Sequence, residues 1–166
     1  MAEPAADPRR RTITWPDPKA TLAAMQAMSG AERAQAWVSG ALPPPPVAAL
    51  VGWTVRSAEA GRALIELLPA EYHYNPFGSV HGGLLCSLVD EAIALAVASS
   101  LPAGVAATTL EMKVNFVRPI RAETGLIRCE GETLYVGGRI ATAQARVLDA
   151  LGTLYAHGTA TWMVMR

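Results

Sequence analysis

At 166 residues the chain is long enough to bury one sizeable core and too short for two domains of ordinary size. Fourteen Lys and Arg against fourteen Asp and Glu leave no net field to gather nucleic acid or an anionic membrane surface, so neither partner is expected. Only 17% of residues are charged and 51% are apolar, a balance that predicts apolar surface covered by self-association.

Residues 1–46 read as an N-terminal arm with short helices, and residues 47–166 as the folded domain. Residues 1 to about 16 are rich in Pro, Ala and Arg without periodicity and predict an extended arm. Arg9-Arg10-Arg11 imitates the basic start of an export signal, but Trp15-Pro16-Asp17-Pro18 follows in place of an apolar stretch, which points to a cytoplasmic protein. Asp17 as cap and Pro18 at the first helical position predict a helix carrying Leu22, Met25 and Met28. Ser29 and Glu32 have the spacing of a reciprocal cap for a second helix ending at Gly40. Pro43 to Pro46 then form a rigid spacer.

Val51 to Arg56 and Gly61 to Leu68 predict two strands. Gly82-Gly83 opens a helix whose apolar residues, Leu84 to Val97, cover nearly its whole circumference, with Ala92, Ala94, Ala96 and Ala98 small enough for a sheet to approach. Four extended stretches follow, Ala106–Val117, Thr124–Val136, Arg139–Leu148 and Thr153–Val164, separated at Arg118-Pro119, Gly137-Gly138 and Asp149 to Gly152. His73 and His157 fall in strand-like segments. Short turns predict antiparallel neighbours, so the expected fold class is α+β, a curved antiparallel sheet around one long central helix. The uncharged run Ala92 to Leu110 is broken by Pro102 and Gly104 and is not read as a membrane span.

Two adjacent carboxylates, Asp90 and Glu91, sit in that apolar helix, where a charge is costly unless paired, solvated or used. At about 100° per residue, Cys86, Asp90 and Ala94 share one line while Glu91 points elsewhere. Glu91 therefore reads as structural or interfacial. Gly82 and Gly83 stand where a helix presents unpaired N–H groups and the positive end of its dipole, which suits an oxyanion; from the dipeptide alone, a tight turn between loop and helix is the plainer explanation. Cys86 and Cys129 match neither a disulfide framework nor a zinc site, so a reducing compartment and no metal are expected.

The run Asn75-Pro76-Phe77-Gly78-Ser79-Val80-His81-Gly82-Gly83, with an acidic residue nine positions after His81, resembles the signature of the hotdog-fold thioesterases of the PaaI type. The resemblance extends to PPPPVAALVGW before it, TTLEMKVNFVRPI after the helix and GGRIATAQARVLDALGTLYAHGTATWMV at the end, roughly residues 43 to 164. It implies a hotdog fold assembled as dimers or tetramers that hydrolyses acyl-CoA thioesters without a cofactor. By that resemblance Asp90 matches the catalytic carboxylate, Gly82 the backbone donor to the thioester carbonyl, and Asn75 the polar residue beside the attacking group. Thr109, or else Thr108, matches a hydroxyl that helps hold water; a hydroxyl found four residues after the carboxylate in a related branch is replaced by Ala94.

His81 and Gly83 read as structural support of that loop. Arg139, Arg118 and Lys113 are candidates for the CoA phosphates, and Tyr72, Tyr74, Phe77 and Phe116 for flanking a short or aromatic acyl group. A hotdog hydratase or dehydratase and a non-catalytic acyl-CoA-binding module are the alternative readings. Ser79 lies one position off the register of a nucleophile elbow, and Gly137-Gly138-Arg139 has neither the spacing nor the following helix of a phosphate loop.

Overall fold

The computed structural model describes residues 9–165. The first eight residues of the expected arm lie outside the described residues. Helix α1 (Pro18–Met25) starts on the Asp17 cap, and α2 (Gly30–Ser39) on the reciprocal Ser29–Glu32 cap, ending at left-handed Gly40. A short helix, α3 (Pro46–Val51), takes residues expected in the spacer and the first strand. Pro46 at a first helical position needs no N–H partner, and Gly52 with φ 93° stops the turn, so strand β1 begins only at Trp53 (Trp53–Glu59).

After β2 (Arg62–Leu67), a single turn over Glu71–His73 replaces the strand expected at His73. That side chain is buried, accepting from Ala70 N–H at Nδ1 (3.0 Å) and lying 2.8 Å from Val51 O at Nε2, so it closes a turn instead of decorating a sheet. The long helix α4 (Gly82–Ser99) follows, then β3 (Ala106–Phe116), β4 (Ile127–Val136), β5 (Ile140–Leu148) and β6 (Leu154–Met165). His157 lies on β6, as its alternation predicts.

All pairings in the six-stranded sheet are antiparallel, in the order β1-β2-β4-β5-β6-β3. Consecutive strands pair wherever the turn is short, but β3 pairs with β6 and not with β4. Pro119 offers no N–H, and the preceding N–H groups of Val117 and Arg118 both go to Tyr155 O. The chain is then drawn across the start of α4 by Val80 N–H on Ile120 O and Ala122 N–H on the Tyr74 hydroxyl.

The sheet wraps α4, which is the one helix among the described residues long and apolar enough to cross a membrane; here it forms the core. Leu88, Val89, Ala92, Ile93, Ala96 and Val97 are fully buried against Ile65, Ile127, Cys129 and Val147. Contact is closest at Gly131 of β4, where a Cβ would overlap the Ala92 carbonyl, and at Gly30 of α2, where it would overlap that of Ala98. Ser99 closes the far end, its Oγ 2.6 Å from Glu59 O and accepting from Gly61 N–H at 3.1 Å. Gly131→Ala should therefore push β4 off α4 and remove about 3 kcal/mol, or roughly 6–12 °C in melting temperature. An unchanged melting curve would show that the strand has room to move.

Candidate active site

At the start of α4, His81 accepts three backbone bonds, from Gly83 N–H at Nδ1 (2.9 Å) and from Leu84 and Leu85 N–H at its carbonyl (3.0 and 3.3 Å). Its own N–H donates to His73 O at 2.8 Å, which ties the helix start to the buried turn. Gly82 N–H is left without a hydrogen-bond partner among the described residues. A side chain at Gly82 would press on the Phe116 ring, its Cβ 3.2 Å from Cζ, and one at Gly83 would crowd the His81 ring that caps the helix.

Asn75 holds the loop that leads into this helix. Its Oδ1 accepts from Phe77 N–H (2.8 Å) and Ser79 N–H (3.4 Å), and its Nδ2 donates to Ser79 Oγ (3.2 Å). Ser79 is thereby engaged in loop geometry. Asn75, Gly82, Phe116 and Arg118 share an open cavity of about 370 Å³. It combines a helix-start donor, an amide, an aromatic wall and a cation.

Asp90 lies two turns further on, on a stripe of α4 that the sheet leaves uncovered: Gly83, Cys86, Ser87, Asp90 and Ala94. Thr109 Oγ1 donates to Asp90 Oδ1 at 2.9 Å, and Oδ2 has no partner among the described residues. A β-bulge between Thr109 and Glu111 selects that threonine. The half-buried Met112 and Val114 extrapolate by period two to Leu110 and Thr108, and the extra residue turns Thr109 inward instead. Gly82 and Asp90 are eight residues apart, roughly 12 Å along the axis, so one chain cannot bring both to the same carbonyl carbon.

Of the remaining candidates, Arg118 sits beside the Gly82 cavity with Nη1 on Leu154 O (2.6 Å). Lys113 is exposed on β3 and Arg139 exposed beyond β4, so the three proposed phosphate contacts are dispersed. Phe116 lines the cavity and Tyr74 braces the β3–β4 connection, whereas Phe77 is 89% exposed at the loop tip. Burial pushes both cysteine thiols above their ordinary range, the reverse of an activated thiolate. The link from His81 through His73 to the end of α3, where Arg11 of the arm is bound, carries no local sequence signal, because its partners are far apart in the chain.

Glu91 turns to another side of α4, into a hollow of about 190 Å³ walled by Trp37, Leu42, Pro43, Trp53 and Leu95. Its carboxyl has no ion pair or hydrogen bond among the described residues, and burial, reinforced by the charge of Asp90, pushes it up to about 7 from 4.5. Between those two values the folded state keeps a proton that the unfolded chain has released, so stability falls as pH rises through that window. Glu91→Gln should melt higher than the parent protein near pH 8 and no higher near pH 4. An equal difference at both values would mean that water already solvates the carboxylate.

Residues 77–156 match the family model of the thioesterase superfamily. A protein of Saccharolobus solfataricus named as an esterase is 30% identical over 112 residues, 68% of this chain and 78% of its own. The 1,4-dihydroxy-2-naphthoyl-CoA hydrolase of Listeria monocytogenes is 26% identical over 60% of this chain and 79% of its own. The crystal structure of a phenylacetic acid degradation-related protein from Ralstonia eutropha, described as a thioesterase, superposes with TM-score 0.70 at 29% identity, covering 78% of this chain and 97% of that one. With its wrapped helix and the motif at the helix start, the chain belongs to the thioesterase superfamily, among the PaaI-type proteins of hotdog fold.

Proposed function

We propose that the protein hydrolyses an acyl-CoA thioester to the free acid and CoA, at sites shared between two copies of the chain. The observation that carries this reading is one helix with an N–H at Gly82 that is unpartnered among the described residues and, on its uncovered stripe, a carboxylate held by Thr109. The CoA hydrolase among the relatives supports CoA as the thiol part of the substrate.

Gly82 N–H donates to the thioester oxygen and stabilises the negative charge that develops there. Asp90 of a second copy supplies the attacking group, because the separation along α4 rules out the residue in the same chain. With Oδ1 held by Thr109, Oδ2 is the reacting oxygen. It either takes a proton from water as the water oxygen bonds to the carbonyl carbon, or attacks that carbon itself to give an anhydride that water then opens. In both routes the C–S bond breaks and the CoA thiolate receives the proton released by water. A two-fold pairing of antiparallel α4 stripes creates two such sites, and the free edge of β3 lies beside Thr109 to extend the contact.

Thiol release across a panel of acyl-CoA substrates tests the activity. Asp90→Asn should lower kcat by about 10² to 10⁴, and Gly82→Val by about 10² to 10³, with melting temperatures near that of the parent. Retained kcat in Asp90→Asn would make the carboxylate structural. Mixed in equal amounts under subunit exchange, the two inactive variants should recover about a quarter of parental activity, since half of the dimers are mixed and each holds one intact site of two. No recovery despite proven exchange would refute the shared site. Solvent oxygen-18 appearing in the Asp90 carboxylate after one turnover would identify direct attack, with the anhydride opened by water at the Asp90 carbonyl.

A further inference from the structure

Glu91 is an ionisable group of the core helix that the proposed reaction does not use. The hollow it faces is walled by separate pieces of chain: Trp37 of α2, Pro43 to Pro45 of the spacer and Trp53 of β1. Among the described residues Glu91 is the one charged group in that lining. The hollow shares no residue with the Gly82 cavity, and its outer walls come from residues 37–55, ahead of the span 77–156 that matches the family model.

Two polar groups there lack partners. The Glu91 carboxyl has no ion pair or hydrogen bond among the described residues, and Trp53, 3% exposed, holds its Nε1–H without an acceptor. The other indole is engaged, with Trp37 Nε1 donating to Pro43 O at 3.2 Å, which fixes that ring beside the proline wall. Cations on the same elements are committed elsewhere: Arg33 of α2 to the carbonyls of Ser29 and Val105, and Arg56 of β1 to Glu66. On α4 the charge that acts on Glu91 is that of Asp90, which is also negative.

An anion so placed lacks a counter-ion, and the walls decide which kind fits. A strongly hydrated inorganic cation would have to shed its water among indoles and prolines that offer few oxygen ligands. A methylated ammonium is weakly hydrated, packs on apolar carbon and is attracted to indole rings. About 190 Å³ has room for such an ion and not for a drug-sized molecule, and half-buried Trp37 and Glu91 leave the hollow open to solvent. We propose that this hollow binds a small organic ammonium ion, paired with the Glu91 carboxylate and packed against the indoles of Trp37 and Trp53. The site is separate from the proposed reaction site and does not depend on the acyl-CoA reading.

The test compares choline with its uncharged carbon isostere, 3,3-dimethylbutan-1-ol, by calorimetric titration of the whole protein at constant chloride. Each probe also carries a hydroxyl oxygen that could accept from Trp53 Nε1–H, so the comparison isolates the charge. Near pH 8 choline should bind about tenfold more tightly than the alcohol, and near pH 5, where Glu91 holds its proton, the preference should vanish. Choline keeps its charge throughout, so its binding near pH 7 should release protons to the buffer as the carboxyl, held at about 7, is drawn into its ionised form. Glu91→Gln should bring choline to the level of the alcohol while the alcohol moves by less than twofold, and Trp37→Leu should weaken choline more than the alcohol. Choline should also raise the melting temperature of the parent near pH 8 and leave that of Glu91→Gln unchanged. No binding of choline, an affinity for the alcohol equal to or above that for choline near pH 8, a preference undiminished near pH 5, or unaltered choline binding in Glu91→Gln would each overturn the assignment.

Discussion

The closeness of β4 to α4 governs much of this molecule. Gly131 meets the carbonyl of Ala92 where any side chain would overlap it, and a Cβ at Gly158 of β6 would lie 2.9 Å from Val89 Cγ1. With strands that near, the sheet encloses most of the helix circumference and buries Leu88, Ile93 and Val97 without residue. It cannot close over the remaining side, where Gly83, Ser87, Asp90 and Ala94 form a line of small or polar groups. The Asp90 carboxylate is thus left within reach of the surface, on the one side of α4 that the sheet does not cover.

His81 transmits a second constraint. By satisfying the N–H groups of the three residues after Gly82, it leaves the donor of Gly82 itself for another acceptor. The same residue is bonded to His73, which with Arg11 covers the three terminal carbonyls of α3. Loop, short helix and long helix are therefore joined to the candidate donor by one chain of hydrogen bonds, and the arm is fixed at its far end by Arg11.

Asp90 and Glu91 show how far two identical chemistries diverge through a rotation of about 100°. One carboxylate faces open surface and a threonine hydroxyl; the other faces indoles and prolines with no compensating charge among the described residues. The helix supplies the rotation, but the surroundings supply the difference. Asp90 is suited to chemistry by access and orientation, whereas Glu91 keeps its proton close to neutrality because its walls cannot solvate the anion.

Much was legible in the sequence because the signals are local. Caps at Asp17 and Ser29, the helix opening at Gly82, the strict alternation of β6 and the spacing from Gly82 to Asp90 each depend on residues within about a dozen positions of one another. From those alone followed a long apolar helix, an antiparallel sheet around it, and a carboxylate too far from the glycine to share a carbonyl within one chain. What only the tertiary structure decided involves partners distant in sequence. β3 joins β6 because the chain after Phe116 is held by Tyr155 and drawn over the start of α4, and Thr109 reaches Asp90 because a bulge in that pairing reverses the alternation. His73 leaves the sheet for a turn because its ring finds the end of α3, and the arm takes its place because Arg11 finds the two preceding carbonyls, those of Ala49 and Leu50. Such contacts depend on strand register and on carbonyls left over at helix ends, quantities that exist only once distant segments have packed.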